Sequence, residues 1–78
     1  MNIYELLKAA RIKQGMSQNE LASRLGYTTP QFISNWERGM SLPPHDKLAL
    51  LCTILKINRS QLRILLVKEY KIYLMKFF

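Results

Sequence analysis

Apolar residues recur three and four positions apart over most of this chain, the period of helices that bury one face. Asn2 is a candidate N-cap followed by Ile3, Leu6, Leu7 and Ala10 at core spacing, which predicts a first helix from about Asn2 to Gln14. Ser17 and Glu20 have the spacing of a capping box, in which each side chain satisfies an orphan amide of the first turn. Leu21, Ala22 and Leu25 then share one face of a second helix. A third follows at once: Thr29 suits the N-cap, and Pro30 the first helical position, where its missing N–H has no partner to lose. Phe32, Ile33 and Trp36 supply its apolar face. Gly15, Gly26 and Gly39 each stand just past one of these helices, where a residue with positive φ is favoured. After a Met40–Pro44 loop, Pro44 opens a fourth helix with Asp46 near its positive end. Its core stripe is Leu48, Leu51, Cys52 and Leu55, and it ends near Lys56. Asn58 and Arg59 form a connection, and Ser60 caps a fifth helix running from Gln61 toward the C-terminus. No segment alternates with strand period. The expected fold is all-α, a compact five-helix domain spanning 1–78.

The polar positions of the third helix are as regular as its apolar ones. Gln31, Ser34, Asn35 and Arg38 fall at i, i+3, i+4 and i+7, an uncharged stripe that finishes in a cation. Such a stripe suits the major groove of DNA, where amides pair bidentately with adenine edges and a terminal arginine meets phosphate. Two short helices joined by a tight turn, the second carrying that stripe, have the layout of a helix-turn-helix.

Length and charge narrow the reading. Seventy-eight residues leave room for one domain, and so small a core favours dense helix packing or oligomerisation. A hydrophobic content of 49% fits a folded chain, and a net charge of +7 favours a polyanionic partner, nucleic acid before an anionic membrane surface. The charge is unevenly spread: residues 1–40 carry five Lys or Arg against three Glu, and residues 41–78 carry seven against two acids. The basic excess therefore lies mostly outside the expected reading helix. The single cysteine, Cys52, excludes an internal disulfide and fits a reducing cytoplasm, and its place in an apolar helical stripe assigns it to the core. His45, the only histidine, has no metal-ligand spacing with Cys52 and reads as structural. With one His, one Cys and five scattered acids, no acid–base pair, triad or metal set is expected, and no cofactor motif occurs. The N-terminus has no apolar core of signal-peptide type, and Arg63, Lys68, Glu69, Lys71 and Lys76 interrupt the C-terminal apolar stretch too often for a membrane span.

The fifth helix is richer in apolar residues than a core of this size requires. Leu62, Leu65 and Leu66 complete the core, while Ile64, Val67, Tyr70, Ile72, Tyr73, Leu74, Met75, Phe77 and Phe78 spread around the remaining circumference. Val67, Tyr70, Ile72, Tyr73, Met75 and Phe77 are accordingly expected to form a homodimer interface, with 60–78 as the dimerisation helix.

Arg11, Gly15, Ser17-Gln18, Glu20-Leu21-Ala22, Leu25-Gly26 and the run Ile33-Ser34-Asn35-Trp36-Glu37-Arg38-Gly39 resemble the phage-repressor and Cro-like helix-turn-helix family, often called the XRE family. The likeness covers roughly residues 3–66 and implies a lambda-repressor-like fold. It implies that Gln18 contacts the DNA backbone or a base edge, that Gln31, Ser34 and Asn35 read bases, and that Arg38 contacts phosphate. It also implies a partly buried ion pair between Arg11 and Glu37, tying the first helix to the third. From Gly26 to Glu37 the chain has one residue more than the usual family form, so Thr28, Thr29 and Gln31 all remain candidates for the first base-reading place. Phe32 borders the polar stripe and either packs inside or touches a thymine methyl. The basic run that many relatives carry after the third helix is replaced by Met40-Ser41-Leu42-Pro43-Pro44.

The resulting expectation is a cytoplasmic, non-enzymatic, sequence-specific binder of double-stranded DNA, a homodimeric transcriptional regulator of the repressor type. Two reading helices about 34 Å apart would meet a pseudo-palindromic operator. The alternative is an antitoxin-type interaction module whose C-terminal helix holds a partner protein.

Overall fold

A computed structural model describes residues 1–77, so the apolar Phe78 lies outside the described residues. Five helices follow in order: α1 Ile3–Lys13, α2 Gln18–Arg24, α3 Gln31–Glu37, α4 His45–Leu55 and α5 Arg59–Phe77. No strand occurs among the described residues.

Local chemistry sets most boundaries. The Asn2 side chain accepts from the Glu5 amide at 2.8 Å and starts α1. Both bonds of the Ser17–Glu20 capping box are made at the start of α2. The first three helices end in the same double bond pattern. At the end of α2 the Tyr27 amide reaches back to the Ala22 carbonyl at 2.9 Å and the Gly26 amide to Ser23 at 3.0 Å. Gly26 makes this possible with φ +86°, which a side chain would strain. The residue that follows the first two of these caps folds inward, Met16 buried and Tyr27 half-buried, whereas Met40 after the third stays exposed.

Four expectations need correction. Pro30 and Pro44 precede α3 and α4 as N-caps rather than opening them, so each helix starts one residue later than the sequence pattern indicates. Asn58, not Ser60, starts α5: its Oδ1 accepts from the Gln61 amide at 3.1 Å and its carbonyl from the Leu62 amide at 3.1 Å. Helix α4 does end at Lys56 as expected, in the left-handed region at φ 55°, where the chain offers no glycine. Phe32 does not share the Ile33–Trp36 face; it is 50% exposed.

The core gathers Ile3 and Leu7 of α1, Leu21 and Ala22 of α2, Ile33 and Trp36 of α3, Leu51 and Leu55 of α4, and Leu62 of α5. Helix α1 is central, packing against α3, α4 and α5. Leu65 and Leu66 only half-bury against this core, so one leucine of α5, Leu62, is fully covered. Tyr4 of α1 donates its hydroxyl to Glu69 Oε1 at 3.1 Å, which ties the second half of α5 back to the first helix. Burial, and then the neighbouring carboxylate, raise the Tyr4 pKa above the ordinary tyrosine value. A Cβ on Gly39 would stand 3.3 Å from the Tyr4 ring, so the turn after α3 passes close beneath the same side chain.

Candidate nucleic-acid interface

Helix α3 is held by one face and free on the other. Trp36, 2% exposed, and Ile33 anchor the inner face. Beneath the turn, Tyr27 packs its ring 4.7 Å from Phe32 and edge-on to Trp36 at 6.0 Å. Tyr27 thus supports the turn from within, and Phe32 lies half-exposed on top of it. Lys47 reaches from α4 to donate to the Leu25 carbonyl at 2.9 Å, capping α2 and lying 5.2 Å over the Tyr27 ring. Nothing in the local sequence pattern pairs Lys47 with Leu25, which lies just past the end of α2.

An ion pair locks α3 to α1. Arg11 Nε donates to Glu37 Oε2 at 2.6 Å and Nη2 to Oε1 at 3.0 Å, a two-pronged contact. Arg11 is 9% exposed, and its third donor, Nη1, is satisfied by the Met16 carbonyl at 2.8 Å. The hydrogen bond to Glu37 raises the arginine's pKa, against the opposing effect of burial. Gln18 joins the same carboxylate, donating from Nε2 to Glu37 Oε1 at 3.1 Å. Its amide nitrogen is therefore engaged with the protein, while its position in the first turn of α2 stays half-exposed. Four hydrogen bonds thus fix the angle between the first, second and third helices, and no buried side-chain polar atom lacks a partner among the described residues.

The outward face of α3 carries Gln31, Ser34, Asn35 and Arg38 in one row. Asn35 Oδ1 accepts from Gln31 Nε2 at 3.0 Å and from Arg38 Nη2 at 3.0 Å. Arg38 Nε also leans on the Ser34 carbonyl at 3.4 Å. Gln31 is the first residue of α3, and the Thr29 hydroxyl faces its amide at 3.4 Å. Thr28 and Thr29 are exposed in the bends just before it. The structure therefore brings Thr28, Thr29, Gln31, Phe32, Ser34, Asn35 and Arg38 onto one continuous edge of the molecule, with Gln18 at its border.

The expected interface residues of α5 are not brought together in this way. Val67 and Tyr70 edge a groove of about 750 Å³ whose far wall is Leu42, Pro43 and Leu48, with Leu74 at its end. Ile72, Tyr73 and Phe77 instead line a smaller groove of about 380 Å³ beside Tyr4, Met40 and Leu42. Met75 points into solvent, 83% exposed. Helical geometry separates these groups around the axis, because residues 67, 72 and 75 do not repeat at 3.6. No helix among the described residues is long and apolar enough to cross a membrane. Cys52 is buried, and burial pushes its thiol pKa up, which keeps it protonated and unreactive.

No curated protein and no solved structure gives a significant match to the chain. A comparison with protein families does: residues 7–62 match the family described as helix-turn-helix, from the middle of α1 to the buried Leu62 of α5. The match takes in the ion pair, the turn and the outward row together, and more than half of the chain. This chain therefore belongs to the phage-repressor-like (XRE) helix-turn-helix family of DNA-binding transcription regulators, which is not a family of enzymes.

Proposed function

We propose that the protein represses transcription as a homodimer bound to a pseudo-palindromic operator, with α3 of each copy in the major groove. The observation that carries this is the outward row of α3: short polar side chains, two of them amides, on a helix whose other face is immobilised by Trp36 and whose end is fixed by the Arg11–Glu37 pair. Gln31, Ser34 and Asn35 select bases, Thr28, Thr29 and Phe32 border the groove, and Gln18 and Arg38 position the helix against phosphates. Phe32 is exposed enough for its ring edge to meet a thymine methyl. Residues 1–78 act as one DNA-binding domain, within which the C-terminal segment, 60–78, joins two copies.

The experiment is selection from randomised duplexes with the full chain, followed by footprinting. The expected result is two half-sites about one helical turn apart. Gln31→Ala should cost about 1–3 kcal/mol on the selected site and flatten preference at one position. Equal, sequence-blind losses from Gln31→Ala, Ser34→Ala and Asn35→Ala would overturn base reading by α3.

A second reading rests on the charge of α5. Arg59, Arg63, Lys68, Lys71 and Lys76 stand against Glu69 alone, so a second copy brings like charge to the groove, whereas an acidic partner protein brings complementary charge. This favours an antitoxin-type role, in which α5 holds another protein. Rising salt separates the two: it screens repulsion and strengthens a homodimer, but weakens capture of an acidic partner.

A further inference from the structure

The outward row of α3 has a direction. A guanidinium carries donors and no acceptor, so the Asn35 atom 3.0 Å from Arg38 Nη2 has to be the amide oxygen. Gln31 Nε2 donates to that same oxygen, also at 3.0 Å. A carbonyl oxygen has two lone pairs, and both are now occupied. Asn35 is left facing outward with the two N–H groups of Nδ2, a donor and nothing else. Gln31 is left with Oε1 and its second N–H, an acceptor beside a donor.

These two faces fit different bases. Bidentate pairing of an amide with adenine needs the oxygen to accept from N6 while the nitrogen donates to N7. Gln31 retains both halves of that pattern. Asn35 does not, since its oxygen is filled. An N–H₂ group facing the groove instead fits an edge that only accepts: guanine with N7 and O6, then thymine with O4. Adenine shares the N7 acceptor with guanine but sets its own N6–H₂ beside it, against Asn35, and cytosine offers only its N4–H₂. The guanidinium can do this while still meeting the backbone, because Nη1 makes no hydrogen bond within the described residues and remains for a phosphate.

We propose that Arg38 is a specificity-determining positioning residue: by filling Asn35 Oδ1 it makes Asn35 a donor-only reader of guanine and leaves adenine to Gln31. The inference rests on the base reading by α3 proposed above.

Selection from randomised duplexes with the full-length wild type, Gln31→Ala, Asn35→Ala and Arg38→Ala tests it. The position flattened by Asn35→Ala is the one Asn35 reads. There the wild type should prefer guanine to adenine by about 5- to 150-fold. Arg38→Ala, with unchanged helical circular dichroism and melting temperature, should bind every sequence more weakly. It should also bring guanine and adenine to within about threefold at that one position, or reverse them. The position flattened by Gln31→Ala should keep its base. A wild type that selects adenine at the Asn35 position overturns the inference. So does an Arg38→Ala protein with uniformly reduced affinity and intact guanine preference, which would make Arg38 a phosphate contact alone. Failure to select any sequence would instead overturn base reading by α3 itself, and this inference with it.

Discussion

The four-helix body and the second half of α5 solve the same problem in opposite ways. In the body, polar and apolar residues are sorted by face. Ile3, Leu21, Ile33, Trp36 and Leu51 are sealed inside, and the polar groups that approach them, Arg11 and Glu37, are paired. Beyond Leu66 the sorting stops. Val67, Tyr70, Tyr73, Met75 and Phe77 are all exposed, on several sides of one helix. A helix that is apolar over much of its circumference is ordinarily buried, so the second half of α5 has the composition of an element that something covers. On the function proposed above, base reading belongs to the body and association to the helix beyond it, so damage to one should leave the other readable.

The largest expected failure is in the body. Trp36→Ala removes the anchor of α3 and, at about 3–5 kcal/mol for a buried tryptophan, consumes a large share of a total that is ordinarily about 5–15 kcal/mol. Circular dichroism and thermal melting should show extensive unfolding; an unshifted melt would mean that Trp36 anchors nothing. Next is Glu37→Ala, which leaves Arg11 buried without its counter-charge and Gln18 without its acceptor, for about 3 kcal/mol. Arg11→Met combined with Glu37→Met should cost less than either single change, and a double-mutant cycle by denaturant titration checks this.

Truncation after Lys68 strikes the other region. The expected product is a folded monomer, with an affinity for the full site at least about tenfold lower, because two linked half-sites no longer reinforce each other. Sedimentation and DNA titration measure both; a truncated chain that stays dimeric with full affinity would remove α5 as the seam. Smallest is Tyr4→Phe, which joins the two regions. Losing its bond to Glu69 should cost about 1 kcal/mol. Because the Tyr4 pKa is raised in the folded state, the neutral hydroxyl is the stabilised form. Its contribution is whole below the unfolded tyrosine value, about 10, and is lost as pH rises through the folded value. The melting temperature of the wild type should therefore fall more steeply than that of Tyr4→Phe above about pH 10.

Most of the body was legible because its signals are local. A capping box spans four residues, and a glycine just past an apolar stripe marks where the helix must stop. Errors of one or two residues arose where two residues compete for one role, as Pro30 with Thr29 or Asn58 with Ser60. What escaped the sequence pattern joins residues far apart in the chain: Lys47 on the Leu25 carbonyl, and Glu69 on Tyr4. Phe32 escaped for another reason. Helical spacing alone puts it beside Ile33, but the half-buried Tyr27 ring occupies the place beneath it. On α3 the i, i+4 and i+7 spacing showed that Gln31, Asn35 and Arg38 share a face, but spacing cannot say which amide atom is donor and which acceptor. On α5 the apolar excess was plain, and its division between two grooves was not.

The hydroxyl of Tyr4 grips α5 at Glu69, well past its last fully buried residue, Leu62. Nineteen residues at about 1.5 Å each make α5 a rod of about 28 Å. Were it to pivot at its root by about 10°, the far end would swing by about 5 Å, or more than one base-pair step. In a dimer joined through that end, such a swing is a change in the distance between the two reading helices. In the proposed dimer, one tyrosine in the first turn of α1 would thus be a strut on a lever, and the length of operator spanned would be calibrated far from any base.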